Sequence, residues 1–269
     1  MIALLLAAVC MCGEAPERAN DFFWENDKFG MRAYGPGDVH CWSGFDVFNK
    51  TTDAAATCGH VLRNHDKCGN WHATPFDGVL DNYAVGAGRG CGGIALFADG
   101  EWKTFPNWKK CRVIANSGER CEFELVYPAF SDAGEMTCRI ELRRGERFFR
   151  NKVEFERPLK GAWAGPGLDL EPKRGHVGDV WEDAGLGVVA LYENDRGEVE
   201  GSTATAIFMP GAQRILTDAQ NCRVLAVTGV KSFEYWAGAA WSKAGEVASA
   251  AAWRREIESF IHSISKEAK

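Results

Sequence analysis

The sequence predicts an all-β fold: one large antiparallel β-sandwich closed by a single C-terminal amphipathic helix. Stretches of alternating apolar and polar residues recur between positions 28 and 238, the period-2 pattern of strands with one face in a core. Gly, Asn and Asp cluster between these stretches, where they turn the chain by tolerating positive φ or bonding their own backbone. The period changes once, near the C-terminus. Ala252, Trp253, Ile257, Phe260, Ile261 and Ile264 fall at helical spacings there, with Arg254, Arg255, Glu256 and Glu258 largely off that face. No Pro/Ser linker, repeat or low-complexity tract interrupts the chain, so a single sandwich domain over 21–269 is expected.

Residues 1–20 read as a signal-peptide remnant and a polar spacer. The apolar run 2–12 falls short of the ~20 residues that span a bilayer and matches the ~7–15 of a signal-peptide core. A secreted or periplasmic protein is the expectation. Lipoprotein anchoring at Cys10 stays open, although Val9 is a poor small residue for cleavage. Strands are expected at 28–34, 44–49, 93–97 and 101–104, the last two joined through the hairpin pair Asp99-Gly100. Others are expected at 110–115, 120–127, 136–143 and 148–156, with Phe123, Leu125, Met136, Ile140 and Val153 pointing inward. Residues 158–182, rich in Gly and Pro, should loop across one end of the sheets. Strands resume at 187–193, 203–208, 222–228 and 232–238, and the helix of 248–265 should pack through Trp253, Ile257 and Phe260.

Composition narrows the function classes. With 46% hydrophobic and 25% charged residues the chain is an ordinary globular one, which excludes collagen, coiled coil and wholesale disorder. The balance of 31 basic against 37 acidic residues lacks the electrostatic footprint of a nucleic-acid binder. Ten Trp against five Tyr is a surplus of indole. Such a surplus lines sugar clefts, where a flat apolar face stacks on pyranose rings, or fills a Trp-rich β core.

Ten cysteines fit an oxidising compartment. Cys121 and Cys138 lie on inward strand faces and read as buried thiols. Cys58 and Cys68 lie close together in a loop-like stretch and are the one candidate bridge. His60, His65 and His72 share that stretch, so zinc is the competing reading, but the spacing matches no standard zinc template. No metal or cofactor is expected.

No Gly-rich phosphate loop precedes a helix. The run 85–93 leads into a strand and reads as a tight glycine corner between two close backbones. A Gly-x-Ser-x-Gly elbow is missing too, which disfavours that class of serine hydrolase. Three segments concentrate chemistry: 22–36, 71–93 and 235–243. The second carries Trp71, His72, Asp77, Asp81, Tyr83 and Arg89. His and Tyr beside carboxylates suit general acid–base work, and an Arg fork suits a sugar carboxylate. A structural loop tied by Asp hydrogen bonds would carry the same residues.

The phrases Trp-Glu-Asn-Asp-Lys-Phe-Gly-Met-Arg-Ala-Tyr-Gly-Pro at 24–36 and Ser-Gly-Phe-Asp-Val-Phe at 43–48 open a recognisable pattern. Asp-x-Tyr-x-Val-Gly with Arg-Gly-Cys-Gly-Gly at 81–93 and Trp-Ala-Gly-Ala-Ala-Trp-Ser-Lys at 236–243 continue it. In these four phrases the chain resembles the bacterial domain-of-unknown-function family numbered 4861, from about residue 21 to 264. The resemblance implies a galactose-mutarotase-like supersandwich and a role in degrading pectin-like, uronate-rich polysaccharides. On this reading His72, Tyr83 and His176 move protons, and Arg32, Arg89 and Lys243 meet the sugar carboxylate. Trp24, Trp181 and Trp241 are the stacking platforms. The partner is an oligo- or polysaccharide, with no nucleic acid and no membrane span. Lyase, hydrolase and epimerase chemistry are all open, and a non-catalytic glycan-binding module is the alternative.

Overall fold

Where one face of a strand meets the core and the other meets water, burial alternates residue by residue, and β10 (Met136–Arg143) and β11 (Phe148–Phe155) show it most clearly. They belong to a computed structural model that describes residues 10–38, 44–52, 54, 56–103, 106–129, 131–170 and 178–267. With β8 (Lys110–Asn116), β9 (Arg120–Tyr127), β13 (Gly178–Asp183), β14 (Val188–Glu193), β15 (Thr203–Phe208) and β18 (Ser232–Trp241) they form an eight-stranded antiparallel sheet. Its order is β13-β14-β15-β18-β11-β10-β9-β8.

Two five-stranded sheets cover one face of this sheet. The first runs β1-β2-β3-β4-β5 in chain order: Met11–Ala15, Asp21–Glu25, Gly30–Ala33, Phe45–Lys50 and Val79–Leu80. The second is ordered β16-β17-β12-β6-β7, from Arg214–Thr217, Arg223–Thr228, Trp163–Leu168, Cys91–Ala98 and Glu101–Lys103. A parallel bridge between Phe45 and Gly90 joins them. At that junction a Cβ on Gly90 would sit 1.9 Å from the Phe45 carbonyl oxygen, and the residue holds φ +58°, so the backbones approach only because glycine is there. The glycine corner read from the sequence is this junction.

Phe22, Trp24, Phe45, Ile94, Leu168, Phe123, Ile140, Phe149 and Tyr235 share the core between the layers. All five residues expected to point inward from β9, β10 and β11 are fully buried. Helix α2 (Ala250–Glu267) lies on the opposite face of the eight-stranded sheet, with Trp253 stacked on Phe148 and Ile257 buried beside Ala206 and Trp236. Burying side chains of this size contributes about 1.5–3 kcal/mol each. Helix α1 (Cys58–Arg63) caps the outer face of the first five-stranded sheet over Phe23, Phe48 and Trp71. No described helix is long and apolar enough to cross a membrane.

Several elements differ from the expectation. Residues 11–15, assigned to the leader and spacer, are edge strand β1, paired with β2 from Met11↔Glu25 to Ala15↔Asp21. The Cys10 thiol is buried and donates to the Leu142 carbonyl at 3.2 Å. The stretch read as a loop across the sheets contains β12 and β13. Strand β12 carries Gly165 and Pro166, and it tolerates them because its register with β6 shifts there and β17 skips both residues. Cys58 and Cys68 are free thiols, not a bridge. Cys58 starts α1 and packs its sulfur onto Gly30, where a Cβ would lie 2.8 Å from it.

Candidate functional site

On strand β2 the period of two sends Phe22 and Trp24 into the core, and Asp21, Phe23 and Glu25 to the other face, under α1. Arg32 on β3 faces the same way, because its register partners are Phe23 and Asp46. The outer face of this sheet therefore carries charge that the 56–80 segment then buries. Two ion clusters result. Glu25 accepts from Lys50 Nζ at 2.7 Å and from the first backbone N–H groups of α1, Cys58 at 3.0 Å and Gly59 at 3.2 Å. That cluster is structural, tying a helix end to a sheet.

The second cluster centres on Arg32, whose guanidinium pairs with Asp46, with Asp21 at 3.4 Å and with Asp81 at 3.2 Å. All four side chains are at most 3% exposed. Tyr34 donates to Asp46 at 3.0 Å, and the Gly35 N–H donates to Asp21 at 2.8 Å. One cation cannot neutralise three buried carboxylates. Burial, followed by repulsion from Asp46, pushes the Asp81 carboxyl well above the ordinary carboxylate range, and burial raises Asp21 as well. Asp81 Oδ1 has no hydrogen-bond partner among the described residues.

His72 is where this cluster reaches water. Its Nδ1 lies 3.0 Å from the Asp81 carbonyl oxygen and 3.3 Å from Asp81 Oδ2, and its ring stacks on Trp71 at 4.0 Å. The side chain is 50% exposed. Two acceptors at Nδ1 place the proton there and leave Nε2 with its lone pair. Partial desolvation, with Arg32 and Arg18 adding to it, lowers the His72 pKa below its ordinary 6.5. The imidazole is therefore neutral at physiological pH and suited to accept a proton.

Asn82 continues the polar layer inward. It accepts from Asn49 at 2.7 Å, and Asn49 donates also to Thr203. Arg196 donates to the Asn82 carbonyl at 3.1 Å and pairs with buried Glu193 at 2.7 Å. Burial pushes Glu193 up to about 7, against the pull of Arg196.

The structure brings His72 and Arg32 together through Asp81, and so joins segments 22–36 and 71–93. Other expected roles are corrected. Arg32 is committed to three carboxylates and is no substrate clamp. Arg89 is buried and paired with Asp218 at 2.9 Å, so it cannot meet a sugar either. Tyr83 is buried, and burial followed by Asp169 pushes its phenol well above 10, making it a protonated internal group rather than a proton-transfer partner. Trp24 is a core residue at 0% exposure, and buried Trp241 donates its indole N–H to the Glu200 carbonyl at 2.6 Å. Neither presents a face to solvent. Trp181 is half-buried and covered by the Arg254 guanidinium at 4.4 Å. Lys243 is exposed and borders an open groove with Asp195, Ser202 and Ser249, as a rim residue should. His176 lies outside the described residues. Among the described residues no three His, Cys, Asp or Glu side chains are placed to hold a metal ion.

Sequence reasoning passed over Asp21, Asp46 and Tyr34. Asp46 did leave a signal: a carboxylate between Phe45 and Val47 in an apolar strand needs a buried cation.

A family model described as "Domain of unknown function (DUF4861)" matches residues 7–269. A relative from Formosa agariphila, described as "Uncharacterized protein P7", is 26% identical over 275 residues, covering 95% of this chain and 68% of the relative. Among solved structures, an alpha-mannosidase from Enterococcus faecalis V583 is similar with a TM-score of 0.47 and 8% identity. That match covers 91% of this chain and 32% of the mannosidase, so the chain spans about a third of that structure.

Proposed function

We propose, from the premise that this chain belongs to the domain-of-unknown-function family DUF4861, that it is a carbohydrate-active enzyme in which His72 moves the proton. One observation carries the reading: a half-exposed neutral imidazole whose inner nitrogen is held by Asp81, itself held by buried Arg32. An acceptor behind Nδ1 fixes the imidazole tautomer and holds the ring so that Nε2 can take a proton. A pure binding module would depend on flat exposed indoles, and burial of Trp24 and Trp241 with the covering of Trp181 removes the three candidates. The enzyme reading is favoured for that reason.

The substrate class proposed is a uronate-containing glycan, supported by the four sequence phrases shared with the family. With Arg32 and Arg89 paired internally, Lys243 is the expected residue with a charge still facing solvent. Export belongs to the same reading and rests on the apolar run 2–12. Processing would have to fall before Cys10, since a later cut removes part of the β1 edge.

Incubation with pectin-derived uronate oligosaccharides and with neutral oligosaccharides, followed by analysis for new reducing ends, unsaturated ends or altered anomers, tests the proposal. Turnover of a uronate oligosaccharide is expected. Binding without turnover across the panel would give the binding-module reading its place, and neither binding nor turnover would remove the carbohydrate reading.

A further inference from the structure

We propose that Cys10, Cys12 and Cys121 form a three-thiol cluster in which Cys121 makes a disulfide with one of the other two, fastening edge strand β1 to the eight-stranded sheet. Cys10 and Cys12 are two residues apart and both lie in the core beneath that sheet. The Cys10 N–H donates to the Gly118 carbonyl at 2.8 Å, and its thiol donates to the Leu142 carbonyl at 3.2 Å. Leu142 is the cross-strand partner of Cys121 on β10.

Cys12 approaches from the other side. Its thiol lies 4.0 Å from the Ala115 carbonyl, and the Asn116 side chain brackets its backbone, accepting from the N–H at 3.3 Å and donating to the carbonyl at 3.0 Å. Asn116 is the partner of Cys121 on β8. The two strand neighbours of Cys121 thus each hold one of the N-terminal cysteines, and the three thiols lie together in the core between the layers. Residues this distant in sequence meet here only through the fold. No other function in the structure uses the three thiols.

The chemistry needs an oxidant, and a low-molecular-weight disulfide suffices. The Cys10 thiolate attacks one of its sulfurs and expels a thiolate. Cys121 then attacks the mixed disulfide at the Cys10 sulfur and expels the second thiolate. Two protein thiols are oxidised, one external disulfide is reduced to two thiols, and the protons pass to the leaving groups. A hydrogen bond from Cys121 lowers the Cys10 pKa, which makes Cys10 the better first nucleophile. Buried sulfurs need an opening to be reached. Strand β1 provides it, being the edge strand of its sheet, with a neighbour on one side only.

The test is native incubation of the full chain with oxidised glutathione, blocking of free thiols, and tryptic digestion without reduction. A linked pair is expected between the peptide carrying Cys10 and Cys12 and the peptide 121–139. Because 121–139 also carries Cys138, fragment ions must locate the bond at Cys121. Closing a loop of this length should raise the melting temperature by roughly 5–15 °C over the reduced chain. Cys121→Ser should abolish both the link and the rise, while Cys138→Ser should keep both. Recovery of Cys10, Cys12 and Cys121 all in blocked form from the wild-type chain would overturn the proposal, whatever the variants do. So would a link through Cys138, or a rise that survives Cys121→Ser.

Discussion

Replacing Arg32 by Met keeps most of the side chain's volume and removes the one cation that Asp21, Asp46 and Asp81 share. Each partner is essentially sealed from water, so the charge cannot be replaced by solvent. Removing one partner of a buried ion pair costs about 3–5 kcal/mol, and a chain of this size loses roughly 2–4 °C of melting temperature per kcal/mol. A fall of about 10 °C near pH 8 is expected. The penalty has a pH dependence with a definite sign. Asp81 and Asp21 already have raised pKa values, so the folded chain holds protons that the unfolded chain has released. Stability therefore falls as pH rises from the unfolded carboxylate pKa through the folded one. Arg32 limits that fall by lowering both values, and without it the fall extends to higher pH. The gap between variant and wild type should shrink as the solution is brought to about pH 5. Thermal unfolding followed by tryptophan fluorescence at both pH values measures this, with Arg112→Met as an exposed-pair control expected to change little. A variant melting within a degree or two of wild type near pH 8, or a gap that widens on acidification, would refute the assignment.

Glu193 titrates near 7 in the fold against an ordinary 4.5, so wild-type stability should decline by about 3 kcal/mol between those pH values as pH rises. Glu193→Gln should flatten that part of the stability–pH curve, and an unchanged slope would assign the proton elsewhere. Gly90→Ala must both adopt φ +58° and place a Cβ 1.9 Å from the Phe45 carbonyl oxygen, so a loss of more than about 3 kcal/mol in chemical denaturation is expected. A near-neutral result would show that the two five-stranded sheets are not joined there. Ile257→Asp places a carboxylate under α2 at a position 1% exposed, costing about 4 kcal/mol, and a melting temperature within a degree of wild type would show that face to be solvated.

Burial alone did not decide which strands were legible: β4 and β15, buried throughout, match their expected ranges within a residue, while β2 and β12, equally buried, and the more exposed β13 and β16 were missed. The strands β8, β9, β10 and β11 fall within a residue of their expected ranges, and on β10 and β11 the buried and open faces alternate. Strands β2 and β12 are buried almost throughout, and their residues do not alternate. β12 also carries the Gly and Pro that ordinarily signal a loop, and β1 lies in the apolar run that resembles a leader. Helix α1 is six residues long, too short for its period to register. His72 was legible because a His beside Trp and Asp in a polar segment marks chemistry wherever it lies. Residue type alone could not tell whether Arg32 and Arg89 face a ligand or an internal Asp, nor whether Trp24 is a platform or core. Burial decides that, and it depends on which strand registers against which.

The central claim is that His72 transfers the proton, held neutral by partial burial and oriented by Asp81. The measurement that tests it most directly compares turnover of a uronate oligosaccharide by wild type and by His72→Gln, with melting temperatures taken in parallel. The side chain is half-exposed, so the substitution should leave the melting temperature nearly unchanged. Losing a positioned acid–base group costs about 10²–10⁴-fold in rate, and the variant's kcat should fall by that factor. The wild-type rate should rise with pH through a pKa below 6.5, as the imidazole loses its proton. Wild-type turnover that persists undiminished in His72→Gln would contradict the account.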